Sequence, residues 1–91
     1  MPPQVNCATG QGGENLRADE NFEWINWNAL PCTVTACSDW AKQDSYTIPA
    51  ASGNTPGTRM AHTQPGVAPG TYDFCSGCTT VPGNPHITIK G

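Results

Sequence analysis

The residues of this chain most able to do chemistry are its five cysteines, Cys7, Cys32, Cys37, Cys75 and Cys78, within 91 residues. Sulfur at that density in a short chain rich in turn formers supports cross-links made in an oxidising compartment or a soft-metal site. The odd count leaves at least one sulfur as a thiol, a metal ligand or a link to another chain, and spacing alone does not rank the pairings. Cys75-Ser76-Gly77-Cys78 has the spacing of a redox motif. Such activity wants a helix N-terminus beside the thiol to lower its pKa, and the Thr-Thr-Val-Pro-Gly-Asn-Pro run that follows reads as a loop. Cys32-x4-Cys37 with Cys75-x2-Cys78 suggests a four-cysteine zinc or iron–sulfur centre. Strand geometry opposes it, because residues an odd number apart on a regular strand point to opposite faces. A three-cysteine site, with His86 as an added donor, escapes that objection.

Other candidate chemistry is thin. His62 and His86 stand alone in sequence, no nucleophile motif surrounds any Ser, and Glu14, Asp19 and Glu20 read as turn acids. These features predict no enzyme.

The elements that must position the sulfurs are strands. No stretch keeps a 3.6-residue period. Phe22-Glu23-Trp24-Ile25-Asn26-Trp27 is rich in strand formers, with Phe22 and Trp24 on one face and Trp24 and Trp27 on opposite ones. In Cys32-Thr33-Val34-Thr35-Ala36-Cys37 the alternation sends Cys32, Val34 and Ala36 one way and Cys37 the other. Thr71 to Phe74 alternates after a Pro69-Gly70 turn, and His86 to Lys90 closes the chain with Ile87 and Ile89 inward. Strands near 22, 32, 71 and 86 separated by turn residues predict a sandwich or barrel. The stretch from Ser38 to Val67 is less legible. It is long enough to hide one or two strands, and Asp39 to Gln43 fits a short helix or a turn with Ser38 as N-cap.

Composition bounds the function classes. Ninety-one residues with neither a repeat nor a composition break predict one domain over 1–91, and three Trp, two Tyr and two Phe supply a small core. The net charge of −3, with cations only at Arg17, Lys42, Arg59 and Lys90, gives no footprint for nucleic acid. No apolar run is long enough to span a bilayer. Met1-Pro2-Pro3 opens without a basic and apolar leader, a start common to mature exported domains and cytosolic proteins.

Two segments carry a family resemblance. Phe22 to Ala36, FEWINWNALPCTVTA, resembles the cupredoxin strand that ends in Asn and turns into Pro-His-Thr-Val-Thr, where the His is the first copper ligand; Cys32 stands at that place. Pro69 to Lys90, PGTYDFCSGCTTVPGNPHITIK, resembles the family's Pro-Gly-x-Tyr-x-Phe, Cys-x-x-His and final strand, with Cys75 at the thiolate and Cys78 at the second His. The segments cover about 37 of the 91 residues. The site departs from the family's. A blue-copper centre uses two imidazoles, one thiolate and a weak axial group. Here both imidazole places hold Cys, Gly83 stands at the axial Met place, and the Gly70–Cys75 run is one residue shorter, which turns Cys75 outward unless a bulge restores its face.

The resemblance implies an all-β, Greek-key β-sandwich or barrel of cupredoxin-like kind, with seven or eight strands. It implies a Cys32–Cys78 disulfide replacing copper as the clasp between two loops, closing about 46 residues and contributing ~3–4 kcal/mol. It pairs Cys7 with Cys37, since the first and third strands are neighbours in the family, and leaves Cys75 as the odd thiol. The expected function is an exported binding or structural module, extracellular or periplasmic, with no cofactor and with an unidentified protein or copies of itself as partner. The alternative is electron transfer or copper handling through a metal site of Cys32, Cys75 and Cys78.

Overall fold

A computed structural model describes residues 2–43, 45–79 and 82–91. Eight strands follow one another and no helix occurs among the described residues: β1 (Gln4–Asn6), β2 (Leu16–Arg17), β3 (Asn21–Asn26), β4 (Cys32–Ala36), β5 (Ser45–Ile48), β6 (Gly57–His62), β7 (Gly70–Ser76) and β8 (His86–Lys90). They form two mixed sheets, one ordered β1-β3-β6 and the other β2-β8-β7-β4-β5. β1 lies parallel to β3 and β2 parallel to β8, while the remaining neighbours are antiparallel. The architecture is all-β and consistent with a β-sandwich.

The period-2 patterns set which side chains enter the core. On β3, Phe22, Trp24 and Asn26 are buried; on β4, Cys32 and Val34; on β8, Ile87 and Ile89. All of these but the polar Asn26 join Val5, Leu16, Trp40, Tyr46, Ile48 and Phe74 in one apolar cluster fed by both sheets. Trp24 is its centre. Its ring lies 4.8 Å from Phe74 of the other sheet, 5.2 Å from Phe22 and 6.1 Å from Trp40, mostly edge-on, as ring quadrupoles favour. Trp27, three positions on, is 55% exposed.

The middle segment holds two strands, β5 and β6, and the stretch around Asp39 and Trp40 is a turn. Trp40 swings from that turn into the core, where its indole N–H donates to the Asp73 carbonyl at 3.0 Å. The two-residue β2 escapes sequence reading, because a pair of residues carries no period. Its presence makes the 32–36 strand the fourth and not the third.

Candidate functional site

The site is built where the β3–β4 loop meets the end of β7. Asn26, the last residue of β3 and buried, fixes the first loop. Its side-chain amide donates to the carbonyls of Leu30 and Pro49 at 2.9 and 3.1 Å, and its Oδ1 accepts from the Asn28 backbone N–H at 2.9 Å. That bonding answers the donors and acceptors a buried amide must satisfy and delivers the chain through Pro31 into Cys32, the first residue of β4. On the other side, β7 runs antiparallel to β4 with Val34 opposite Ser76. The Gly77 N–H then donates to the Thr33 carbonyl at 2.9 Å. A Cβ at Gly77 would lie 3.3 Å from that carbonyl oxygen, a tight approach that a glycine avoids. Cys78 follows and is bonded to Cys32, with Cα atoms 5.6 Å apart, inside the range disulfides occupy.

A third sulfur joins this pair. Cys7 follows β1, its N–H donates to the Ile25 carbonyl at 2.9 Å, and an Asx turn made by Asn6 redirects the chain beyond it. Cys7 Sγ lies 3.6 Å from Cys78 Sγ, and the sulfurs of Cys7, Cys32 and Cys78 are all within 4.8 Å of one another. Cys7 is a fully buried free thiol, and burial pushes its pKa up to about 11. The apolar surroundings disfavour the thiolate, so at neutral pH the group is a neutral, unreactive thiol. The Ser76 hydroxyl sits beside the cluster, 3.3 Å from Cys78 Sγ and 3.6 Å from Cys32 Sγ. Cys78 is the partly exposed member. It borders an open cleft of about 370 Å³ lined also by Asn28, Ala29, Leu30, Pro31 and Gly77.

Two expectations need correction. Cys37 is bonded to Cys75, with Cα atoms 6.2 Å apart, and not to Cys7. The first strand, β1, lies beside β3 and not beside the strand that ends at Ala36. Cys37 lies past β4 in the other sheet and on its exposed side, while Cys7 is sealed in the core. Cys75, expected as the odd thiol and as a metal ligand beside Cys32 and Cys78, is exposed on the outer side of β7 because its neighbour Phe74 points inward. The structure brings Cys32 and Cys78 together, leaves Cys75 out and puts Cys7 in its place. The signal for Cys7 was present in parity, two residues after the buried Val5.

The remaining candidates sit elsewhere. His86 Nε2 contacts Asp73 at 2.8 Å on the surface. His62 is held between Asp19 and Asn21 at 2.7 and 2.6 Å. Met60 is exposed on β6, in the sheet that does not hold Cys32 and Cys78, and Gly83 lies in the β7–β8 loop with φ +71° and no side chain to offer. No family model matches the chain, and neither the curated proteins nor the solved structures give a match. The two disulfides fit an oxidising environment. No helix among the described residues is long and apolar enough to cross a membrane.

Proposed function

We propose that the chain is an exported, cupredoxin-like binding or structural module without catalytic activity, in which a disulfide closes the loops that relatives close around copper. The observation that carries this reading is the Cys32–Cys78 bond at the meeting of the β3–β4 loop with the end of β7. Further support comes from β1 lying beside β3, the neighbours the resemblance implies. The hairpins β4–β5 and β7–β8, laid side by side through β4 and β7, fit a Greek-key winding. The bond consumes two of the donors that a trigonal copper site would need, and Cys75 is committed to Cys37 on the far face. Leu30 and Trp27, both exposed in the β3–β4 loop, supply apolar area for a protein partner.

The test is the visible spectrum of the oxidised protein after addition of Cu(II). Ordinary blue-copper chemistry requires a thiolate in the copper plane. The oxidised protein offers only one thiol, buried and protonated, so the expected spectrum has no intense thiolate-to-copper band. A strong visible band at one copper per chain would overturn the reading in favour of electron transfer.

A further inference from the structure

The clasp has a feature that a simple cross-link does not need: a third, unbonded sulfur packed against it. One chemistry open to such a group is thiol–disulfide exchange, in which Cys7 would attack Cys78 and release Cys32. Attack runs along the axis of the bond being broken. With Cys7 at 3.6 Å from Cys78, an in-line arrangement would put Cys7 about 5.6 Å from Cys32, given an S–S bond of ~2.0 Å. The actual separation is within 4.8 Å, so Cys7 lies to the side of the bond. The three sulfurs make a triangle, not a line.

A triangle is the arrangement three ligands take around one ion. Sulfurs each about 2.3 Å from a metal in a trigonal plane lie ~4 Å from one another, and those of Cys7 and Cys78 are already 3.6 Å apart. The donors are all soft, which selects soft metals over calcium or magnesium. Among the described residues no further Cys, His or carboxylate joins the group. Structural zinc sites are closed by four protein ligands, so a set of three sulfurs suits a monovalent soft ion of low coordination number better than zinc. The surroundings agree. Cys7 and Cys32 are sealed in the core, while Cys78 opens on the cleft beside Leu30 and Pro31, a route for a small reductant and then an ion. The Ser76 hydroxyl, in reach of both clasp sulfurs, can donate to a thiolate there and offset part of the charge.

We propose that reduction of the Cys32–Cys78 bond by a small-molecule or protein thiol converts the clasp into a three-sulfur site of Cys7, Cys32 and Cys78 for one soft monovalent ion of the Cu(I) class. In the first step two external thiols deliver two electrons and two protons. The S–S bond breaks, Cys32 and Cys78 become thiols, and the reductant leaves as its own disulfide. In the second step the ion keeps its oxidation state, metal–sulfur bonds form and the displaced thiol protons go to solvent. This site rests on the clasp standing where the proposed function puts it. It uses Cys7, and not Cys75, as its third ligand.

The experiment is anaerobic titration of the full chain, reduced with a dithiol, by Cu(I) in competition with a chromogenic Cu(I) chelator. X-ray absorption reports the sulfur count, and near-ultraviolet circular dichroism reports the fold. One Cu(I) per chain bound by three sulfurs is expected, with the native circular dichroism signal present in the loaded form. Cys7→Ser lowers affinity by at least ~100-fold, more than the loss of an outer-shell partner, and reduces the sulfur count to two. Cys75→Ser leaves both readouts unchanged. Equal affinity in Cys7→Ser, a lost site in Cys75→Ser, or a reduced chain that stays unfolded with Cu(I) present would each overturn the proposal. None of these results bears on the oxidised clasp, whose own test is the silent Cu(II) spectrum.

Discussion

The double variant Cys32→Ala/Cys78→Ala unfolds at a temperature about 15–30 °C below that of the parent oxidised protein. The bond joins residues 46 apart in sequence, and the chain-entropy model assigns a loop of that length ~4 kcal/mol through the unfolded state. For a domain near 90 residues each kcal/mol moves the midpoint by about 4–8 °C. The second disulfide gives an internal comparison. It spans 38 residues, so its entropic contribution is within a few tenths of a kcal/mol of the first. Packing separates the two. Cys32 is 1% exposed and belongs to the core, whereas Cys37 and Cys75 are exposed. Removal of the clasp therefore costs more than removal of the Cys37–Cys75 bond. Thermal and urea unfolding of the two double variants under non-oxidising handling checks the order. A clasp variant within about 1 kcal/mol of the parent would show that the two loops are held by something other than sulfur.

Replacement of Trp24 by Ala costs about 3–5 kcal/mol, the range for removing a large aromatic from a packed core, and Trp27→Ala stays within ~0.5 kcal/mol. Three positions separate these indoles on one strand and its exit, yet the pleat sends them to opposite environments. Trp24 touches rings from both sheets, including Phe74 at 4.8 Å, so its loss opens a cavity across the layer where the sheets meet. Its indole N–H has no hydrogen-bond partner, which means that the stabilisation comes from ring packing. Trp24→Phe, which retains a ring and removes the unsatisfied donor, accordingly costs much less than Trp24→Ala. Urea midpoints of the three variants in the oxidised protein decide the matter. Equal losses at 24 and 27 would contradict the facing of β3.

The parts of the fold legible from sequence are those where alternation runs for four residues or more. Phe22/Trp24, Cys32/Val34 and Ile87/Ile89 each declare an inward face, and each is buried. The same alternation, carried one residue past Phe74, turns Cys75 outward, and carried two past Val5 it brings Cys7 in. β6 is harder to read because Thr58, Arg59 and Met60 are all exposed along the edge of a three-stranded sheet, so half-burial leaves no period to detect. β2 is too short to carry one at all. With β2 counted, the third strand is Asn21–Asn26, which lies beside β1, and the strand leading to Cys37 is the fourth, in the other sheet. The meeting of Cys32 with Cys78 could not come from period or spacing, since 46 residues separate them. Only the resemblance of the residues around them to cupredoxin segments implies it. The third sulfur was hidden because a lone cysteine near the start of a chain gives no hint of which sulfurs the sheets will bring to it.

Everything proposed for this protein depends on which sulfurs are joined. Proteolysis of the non-reduced protein after alkylation of free thiols in denaturant, followed by stepwise partial reduction, differential alkylation and tandem mass spectrometry of the linked peptides, assigns each sulfur to its partner. The expected map joins Cys32 to Cys78 and Cys37 to Cys75, with the first alkylation confined to Cys7. A Cys75–Cys78 link, or label on Cys32 and Cys78 in protein kept oxidised throughout, would contradict the clasp.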